Sequence, residues 1–244
     1  MSLQYQTDDE LEPKTDEIVE QPRPSVPVYT VILIAAYGAV AAAQFAVGLE
    51  RSADLAAFDK PLFLHDHEYW RILTGAALHG GLLHLVMNSY AFYSFGSIVE
   101  MLTNRAHLAI VFLLSALGGG LLSLAFVPEG RSVGASGGII GLIGYLAVYA
   151  FRRRQFISPE FRKNLLINIG FILIYGLVLY QIIDNYGHIG GLITGAVYGL
   201  IQIPRDPYAD PREARALTET LGIAAVGIYI AVCIFSILLI LDVV

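Results

Sequence analysis

The sequence GASGG at residues 134–138 begins an apolar run that reaches Phe151. Small residues on both sides of Ser136 allow other backbones to approach it closely. A second glycine-rich apolar run begins later, with the sequence NYGHIGG at residues 185–191. A serine and a histidine that each open a glycine-lined helix indicate two helices packed closely enough for a hydroxyl to meet an imidazole.

The composition indicates a membrane protein. Only 15% of the 244 residues are charged and 56% are hydrophobic, whereas soluble domains carry roughly 25% charged residues. The runs between the charged segments approach the length of about 20 residues that spans a bilayer. The charged segments are residues 1–24, 50–71, 152–163 and 204–219. The net charge of -6 comes mostly from the acidic N-terminal segment and gives no indication of nucleic-acid binding.

Seven apolar runs predict an all-α polytopic membrane protein. The predicted spans are residues 28–48, 81–102, 107–127, 134–151, 165–180, 187–203 and 217–241. Because it is acidic and poor in apolar surface, the first segment is predicted to be a disordered cytoplasmic tail. The predicted domains are this tail at residues 1–24, a six-helix core at 25–203, a cytoplasmic linker at 204–216 and an additional C-terminal transmembrane helix at 217–244.

The distribution of Lys and Arg predicts the orientation in the membrane. With the N-terminus in the cytoplasm, eleven of the 15 basic residues lie inside and four outside, and the Arg152–Arg154 cluster dominates the difference. The C-terminus is then outside, and the fourth and sixth spans both begin at the outer face. Ser136 and His188 are therefore expected at similar depth near the outer surface. The expected location is the plasma (cell inner) membrane.

Polar side chains within the spans are further candidates, because such groups are costly in a bilayer and face the bundle interior. His84 and Asn88 are four residues apart in the second span and share one helix face. They could instead hydrogen-bond to neighbouring helices and only hold the bundle together. Glu100, at the inner end of the same span, is expected to be structural, and His79 precedes the span on a different face.

Glycines on the sixth span form a stripe that begins at the histidine. Its members are His188, Gly191, Gly195 and Gly199. A similar stripe follows Ser136 on the fourth span, so the two helices are expected to meet at backbone contact. Such stripes also join membrane helices that have no catalytic role. Gly190 lies off the stripe, so Gly190→Ala is expected to do less damage than a leucine at Gly195 or Gly199.

The chain resembles the rhomboid family of intramembrane serine proteases over about residues 69–200. The residues that match are Trp70, Arg71, His79, His84, Asn88, Glu100, Gly134, Ala135, Ser136, Gly137, His188, Gly191 and Gly195. Each matching residue or motif alone is weak evidence for the family, but their combination is highly specific.

The resemblance implies a serine endopeptidase that cuts membrane-embedded helices and needs no cofactor or metal. Ser136 would be the nucleophile and His188 the general base, while His84 and Asn88 would stabilise the oxyanion. Structural positions near the site are also expected at Trp70, Arg71, His79, Glu100, Gly191, Gly195 and, from the glycine stripe, Gly199.

Other features of the resemblance concern the surroundings of the site. The family often has a tyrosine one turn after the serine, where this chain has Ile140. The seventh span resembles variants that append one helix after a six-helix rhomboid-like core. The implied partners are single-pass transmembrane protein substrates, cut near the outer membrane face, and the lipid bilayer itself.

Two alternatives follow from the same residues. The stretch at 134–138 fits the G-x-S-x-G pattern of soluble hydrolases, and Asp184 and His188 follow in the hydrolase order. That fold requires a strand before the serine, and the seven apolar runs argue against it. A transporter or a non-catalytic membrane binder could use the same polar groups to hold a solute or a partner helix. The presence of both Ser136 and His188 favours an enzyme.

Overall fold

The computed structural model describes residues 26–179, 183–206 and 208–243. Within these residues, seven helices of 17 to 25 residues form a bundle. They are α1 (Val28–Val47), α5 (Leu82–Leu102), α6 (Arg105–Phe126), α7 (Ser136–Arg152), α8 (Pro159–Val178), α9 (Asn185–Gln202) and α10 (Ala216–Ile240). The shorter elements are α2 (Leu49–Ala56), β1 (Phe58–Asp59), α3 (Lys60–His65), α4 (Arg71–Thr74) and β2 (Arg131–Ser132).

Each predicted span corresponds to one long helix, so the predicted all-α polytopic class, with one helix after a six-helix core, is confirmed. By length and composition, α1, α6, α8 and α10 are each able to cross a membrane, and α7 is a shorter apolar helix. The helix α8, which corresponds to the fifth predicted span, begins earlier than predicted. Ser158 caps it by accepting a hydrogen bond from the Phe161 N–H at 3.1 Å. The predicted acidic tail lies outside the described residues.

The connection between α1 and α5 contains three short helices and is held by one buried arginine. Arg71 donates from Nη1 to the carbonyl of Ala57 at 3.0 Å and to that of Asp54 at 3.3 Å. It also pairs with Glu68, and its guanidinium lies 4.6 Å from the centre of the Trp70 ring. The Trp-Arg pair therefore fixes the path of this connection.

A short antiparallel strand pair joins the same connection to the segment before α7. In the register of β1 and β2, Phe58 lies opposite Ser132 and Asp59 opposite Arg131. The pair has only two residues on each side, which is too short to give an alternating pattern in the sequence. Its effect is to fix the chain four residues before Ser136.

The closest helix contact in the bundle is between α7 and α9. A Cβ atom built on Gly191 would lie 2.0 Å from the carbonyl oxygen of Gly137, and one on Gly195 would lie 1.9 Å from that of Gly141. No side chain fits at these distances, so the two backbones touch. The predicted approach of the fourth and sixth spans along facing glycines is confirmed.

The helix α6 closes the third side of this contact. A Cβ on Gly119 would lie 2.5 Å from the Gly187 carbonyl oxygen, and one on Gly190 would lie 2.6 Å from the Gly118 carbonyl oxygen. Gly190 thus lies off the contact with α7 but faces α6, where a methyl group would also meet backbone. Gly199 is less tightly enclosed, since its nearest neighbours are side-chain atoms at 3.2 Å.

Adding one methyl group at Gly195 should destabilise the bundle. The new Cβ would meet a backbone oxygen that cannot rotate away, so α7 and α9 would have to separate. Overpacking costs typically about 1–3 kcal/mol, so Gly195→Ala should lower the thermal unfolding temperature in detergent. Gly170→Ala in α8 is the matched control, because a Cβ there would meet nothing within 4 Å. Equal unfolding temperatures for the two variants would contradict the contact.

Candidate active site

Ser136 and His188 lie at neighbouring helix ends and meet. Ser136 is the first residue of α7, and His188 lies in the first turn of α9. The Nε2 atom of His188 is 2.9 Å from the Oγ atom of Ser136, which is hydrogen-bond distance. Both residues line a small cavity of about 50 Å³. The arrangement joins a hydroxyl to a base inside a helical bundle.

The turn before the serine requires glycine for two reasons. Gly134 has a φ of +126°, a conformation that residues with side chains rarely adopt. A Cβ at this position would also lie 2.9 Å from Nε2 of His84. The Gly134 N–H donates to the carbonyl of Gly75 at 2.9 Å. This bond and the close approach of His84 fix the chain two residues before Ser136.

His84 and Asn88 both lie beside Gly134, on the face of α5 that the spacing predicts. The Gly80 N–H donates to Nδ1 of His84 at 3.2 Å, so the neutral ring carries its proton on Nε2, the atom next to Gly134. The Nδ2 atom of Asn88 donates to the His84 carbonyl at 3.1 Å. Because an amide group has two N–H donors, Asn88 keeps a second one. The two side chains thus present N–H donors near the start of α7.

His79 is almost fully buried, with 1% of its surface exposed. Its backbone N–H donates to Oε1 of Gln44 at 2.9 Å, and its carbonyl accepts from Nε2 of Gln44 at 3.1 Å. Its ring packs 4.9 Å from that of Tyr37 and 5.3 Å from that of His84. The buried ring of His79 thus packs against the ring of His84 and limits its movement. Within the described residues, no group of three or more His, Cys, Asp or Glu could hold a metal ion.

Glu100 lies near the C-terminal end of α5 and binds the start of α1. Its Oε1 atom accepts from the N–H and the hydroxyl of Thr30, each at 2.7 Å. A carboxylate at a helix N-terminus is stabilised by the helix dipole. Glu100 is therefore placed to join α5 to α1 at the end of the bundle away from Ser136.

Asp184 does not hydrogen-bond the histidine side chain. Its Oδ2 atom accepts from the hydroxyls of Ser123 at 2.5 Å and Ser132 at 2.6 Å, and its Oδ1 atom accepts from the Gly187 N–H at 2.8 Å. Within the part of the chain that the structure describes, Nδ1 of His188 has no hydrogen-bond partner. The site therefore contains a serine–histidine pair, and Asp184 caps the helix that bears the histidine.

The Asp184 carboxyl group is stabilised in its charged form. Burial alone would raise its pKa, but hydrogen bonds from Ser123, Ser132 and the Gly187 N–H, together with the nearby Lys60 ammonium, hold the pKa below its ordinary value. The Lys60 side chain is itself buried, and desolvation lowers its pKa although Asp184 raises it. This charged cluster joins α6, β2 and the start of α9.

Sequence reasoning missed several residues that support the site. Ser123 and Ser132 gave no signal, because only the fold brings them to one carboxylate. Gln44 and Tyr229 could have been found, since each is a polar side chain within a predicted span and such groups face the bundle interior. Both are buried and hydrogen-bond to the backbone of the connection before α5.

The fold and the site together define a multi-pass helical membrane protein with a serine–histidine pair between its helices. The model of the Rhomboid domain matches residues 66–205, which is more than half of the chain. The chain belongs to the rhomboid family.

Curated relatives agree with this assignment. The chain is 34% identical over 149 residues to "RHOMBOID-like protein 6, mitochondrial" of Arabidopsis thaliana, covering 60% of this chain and 48% of that protein. It is 37% identical over 128 residues to "Rhomboid protease GluP" of Bacillus subtilis (strain 168), covering 52% and 25%. It is 30% identical over 139 residues to "Inactive rhomboid protein 1" of Papio anubis, covering 56% and 16%. The chain matches about half or less of the length of these relatives.

Replacing Asp184 by asparagine should destabilise the protein in a pH-dependent way. Hydrogen bonds to a charged group contribute about 1.5–3 kcal/mol, so Asp184→Asn should lose about 1–3 kcal/mol at pH 7. The charged form is favoured in the fold, so this stabilisation is complete above the ordinary carboxyl pKa of about 3.9 and disappears as pH falls through the lower folded-state pKa. The measurement is the unfolding temperature of parent and variant from pH 7 to about pH 3.

The difference between the two proteins should shrink below about pH 4. Asp66→Asn is the control, because Asp66 is exposed and its removal should change the stability by less than about 0.5 kcal/mol. A difference that persists unchanged at the lowest pH would mean that the charge of Asp184 does not stabilise the fold.

Proposed function

We propose that this protein is an intramembrane serine endopeptidase that uses Ser136 and His188 as a catalytic dyad. The observation that carries the proposal is the 2.9 Å contact between Ser136 Oγ and His188 Nε2 inside a bundle of the rhomboid family. A serine hydroxyl becomes an effective nucleophile when a histidine within this distance accepts its proton. The small cavity beside the pair gives water and a peptide carbonyl a place to approach.

The first step would form an acyl-enzyme. The Oγ atom of Ser136 attacks the carbonyl carbon of the scissile peptide bond while its proton moves to Nε2 of His188. The tetrahedral intermediate then collapses, the carbon–nitrogen bond breaks, and the imidazolium of His188 gives its proton to the leaving amine. This sequence needs Nε2 unprotonated at the start, with the ring proton on Nδ1.

Negative charge develops on the substrate oxygen during attack, and donors must already be in place for it. The Ser136 N–H is at the start of α7, where the helix leaves its first N–H groups without partners in the helix. Nε2 of His84 and Nδ2 of Asn88 lie beside Gly134, two residues away. These three donors would form the oxyanion hole.

The second step would release the new C-terminus. Water attacks the acyl carbon while His188 accepts a proton from the water. The imidazolium of His188 then gives this proton to Oγ of Ser136 as the ester bond breaks. The products are two peptide fragments, and the enzyme is restored without any cofactor.

The substrates we propose are single-pass transmembrane proteins, cut near the outer membrane face. The position of the pair at one end of the bundle and the excess of Lys and Arg at the other support this orientation. We further propose a plasma-membrane location with the N-terminus in the cytoplasm and the C-terminus outside. One relative is named as mitochondrial, so localisation by a tagged full chain is the direct test.

Cleavage of a membrane-anchored reporter by the purified protein in liposomes tests the proposal. The parent should cleave the reporter and react with a fluorophosphonate probe, whereas Ser136→Ala should do neither. His188→Ala should lose the labelling, because Ser136 then has no base. Ser97→Ala, which removes an exposed hydroxyl elsewhere on α5, is the control.

One relative in the family is named as inactive, which makes a non-catalytic membrane binder the second candidate. A parent that is folded but neither cleaves nor is labelled would favour that candidate. Labelling that persists in His188→Ala would remove His188 from the role of base.

Asn88→Ala should slow cleavage by roughly 10²–10³, the usual effect of losing one oxyanion donor. Asn168→Ala is a matched control, because Nδ2 of Asn168 also donates to a carbonyl four residues earlier in its helix, at 2.9 Å, but lies exposed on α8. Both variants should unfold near the parent temperature. Equal turnover in the two variants would make Asn88 a purely structural residue.

A further inference from the structure

The helix α10 lies outside the part of the chain that matches the Rhomboid domain, which ends at residue 205. It nevertheless packs against α1 and α6, and also against α2 and α4. A Cβ on Gly222 would lie 2.5 Å from the Cα atom of Ala106, so α10 and α6 touch closely there. Phe235 meets the edge of the Trp70 ring, with centroids 5.4 Å apart. The appended helix is thus an integral part of the packed bundle.

Tyr229 is the polar side chain through which α10 reaches the site. It is fully buried, and its hydroxyl donates to the carbonyl of Ala76 at 3.1 Å. Its ring meets that of Phe112 in α6 edge-on, with centroids 5.0 Å apart. A buried carbonyl that loses its partner is costly, so this bond constrains the backbone at residue 76.

The backbone of residues 75–79 connects this bond to the nucleophile. The carbonyl of Gly75, next to Ala76, accepts from the Gly134 N–H at 2.9 Å. At the other end, the amide of Gln44 in α1 binds both the N–H and the carbonyl of His79. The segment is therefore held by α10 and α1, which both lie outside the family match, and itself holds the turn before Ser136.

We propose that Tyr229 is a positioning residue: from the appended helix it fixes the backbone of residues 75–79, which aligns Gly134 and Ser136 with His188. The inference rests on the proposed protease function and names a role for α10 in it. Misplacement of reacting groups by about 1 Å can cost about 10²-fold in rate. Loss of the one Tyr229 hydroxyl that holds the segment should therefore lower the rate by less than this factor.

The test is the kinetics of Tyr229→Phe in the full chain, reconstituted in liposomes with the membrane-anchored reporter. The phenylalanine keeps the ring contact with Phe112 and removes only the hydroxyl. We expect kcat to fall about tenfold, with KM unchanged within about twofold, and fluorophosphonate labelling of Ser136 to slow by a similar factor. A merely structural role would lower the unfolding temperature and leave both rates of the folded protein unchanged.

Tyr198→Phe is the matched control. Its hydroxyl also makes a hydrogen bond within the bundle, partly buried and 2.9 Å from Nδ1 of His107, but further along α9 than His188. It should lower the stability comparably and leave kcat unchanged. If Tyr229→Phe turns over as fast as Tyr198→Phe, the inference is overturned.

A second variant, Gln44→Met, releases the same segment from α1. If both side chains act through residues 75–79, the losses in kcat for Tyr229→Phe and Gln44→Met should not multiply in the double variant. If the fold-decrease in kcat of the double variant equals the product of the two single decreases, the shared role is overturned. An unchanged kcat in Gln44→Met would also overturn it. Failure of the protease function itself is distinguishable, because the parent would then neither cleave nor be labelled.

Discussion

The site depends on one contact, the touching backbones of α7 and α9. Lipid offers no hydrophobic force between helices, so close packing of small residues supplies much of their association. The carbonyl oxygens of Gly137 and Gly141 occupy the space that side chains on Gly191 and Gly195 would need. This fixes the spacing of the two helices, and the hydrogen bond between the residues at their ends follows from it. The backbones therefore position the pair, and the hydrogen bond adds little to the fold.

The second constraint is the charged cluster at the start of α9. A buried carboxylate is stable only with several donors, and Asp184 obtains them from α6, β2 and its own helix. The first turn of α9, and with it His188, is thereby tied to the strand that precedes Ser136. The cluster thus fixes the backbone that bears His188, while the imidazole itself is hydrogen-bonded to Ser136.

The sequence predicted the long helices, the all-α polytopic class and the meeting of Ser136 with His188. Hydropathy and a period near 3.6 residues indicate which helix faces are apolar or lined by small residues. It did not predict the strand pair or the direction of the Asp184 carboxyl group, since both depend on contacts between distant parts of the chain. The same limit applies to Gly190: the sequence shows the stripe toward α7, but the contact of Gly190 with α6 depends on a third helix. Gln44 was overlooked although its burial follows from the cost of an amide in a bilayer.

The helix bundle extends beyond both ends of the segment that matches the Rhomboid domain. The match begins at residue 66 and so leaves out α1, and it ends at 205 and so leaves out α10. Yet Gln44 and Tyr229, one from each of these helices, hold the backbone before α5. The carbonyl of Ala76 and the backbone N–H and carbonyl of His79 lie outside the long helices, and buried side chains from α1 and α10 supply their hydrogen-bond partners. The outer helices therefore help to set the geometry of the central ones, and the described residues pack as one bundle of seven long helices.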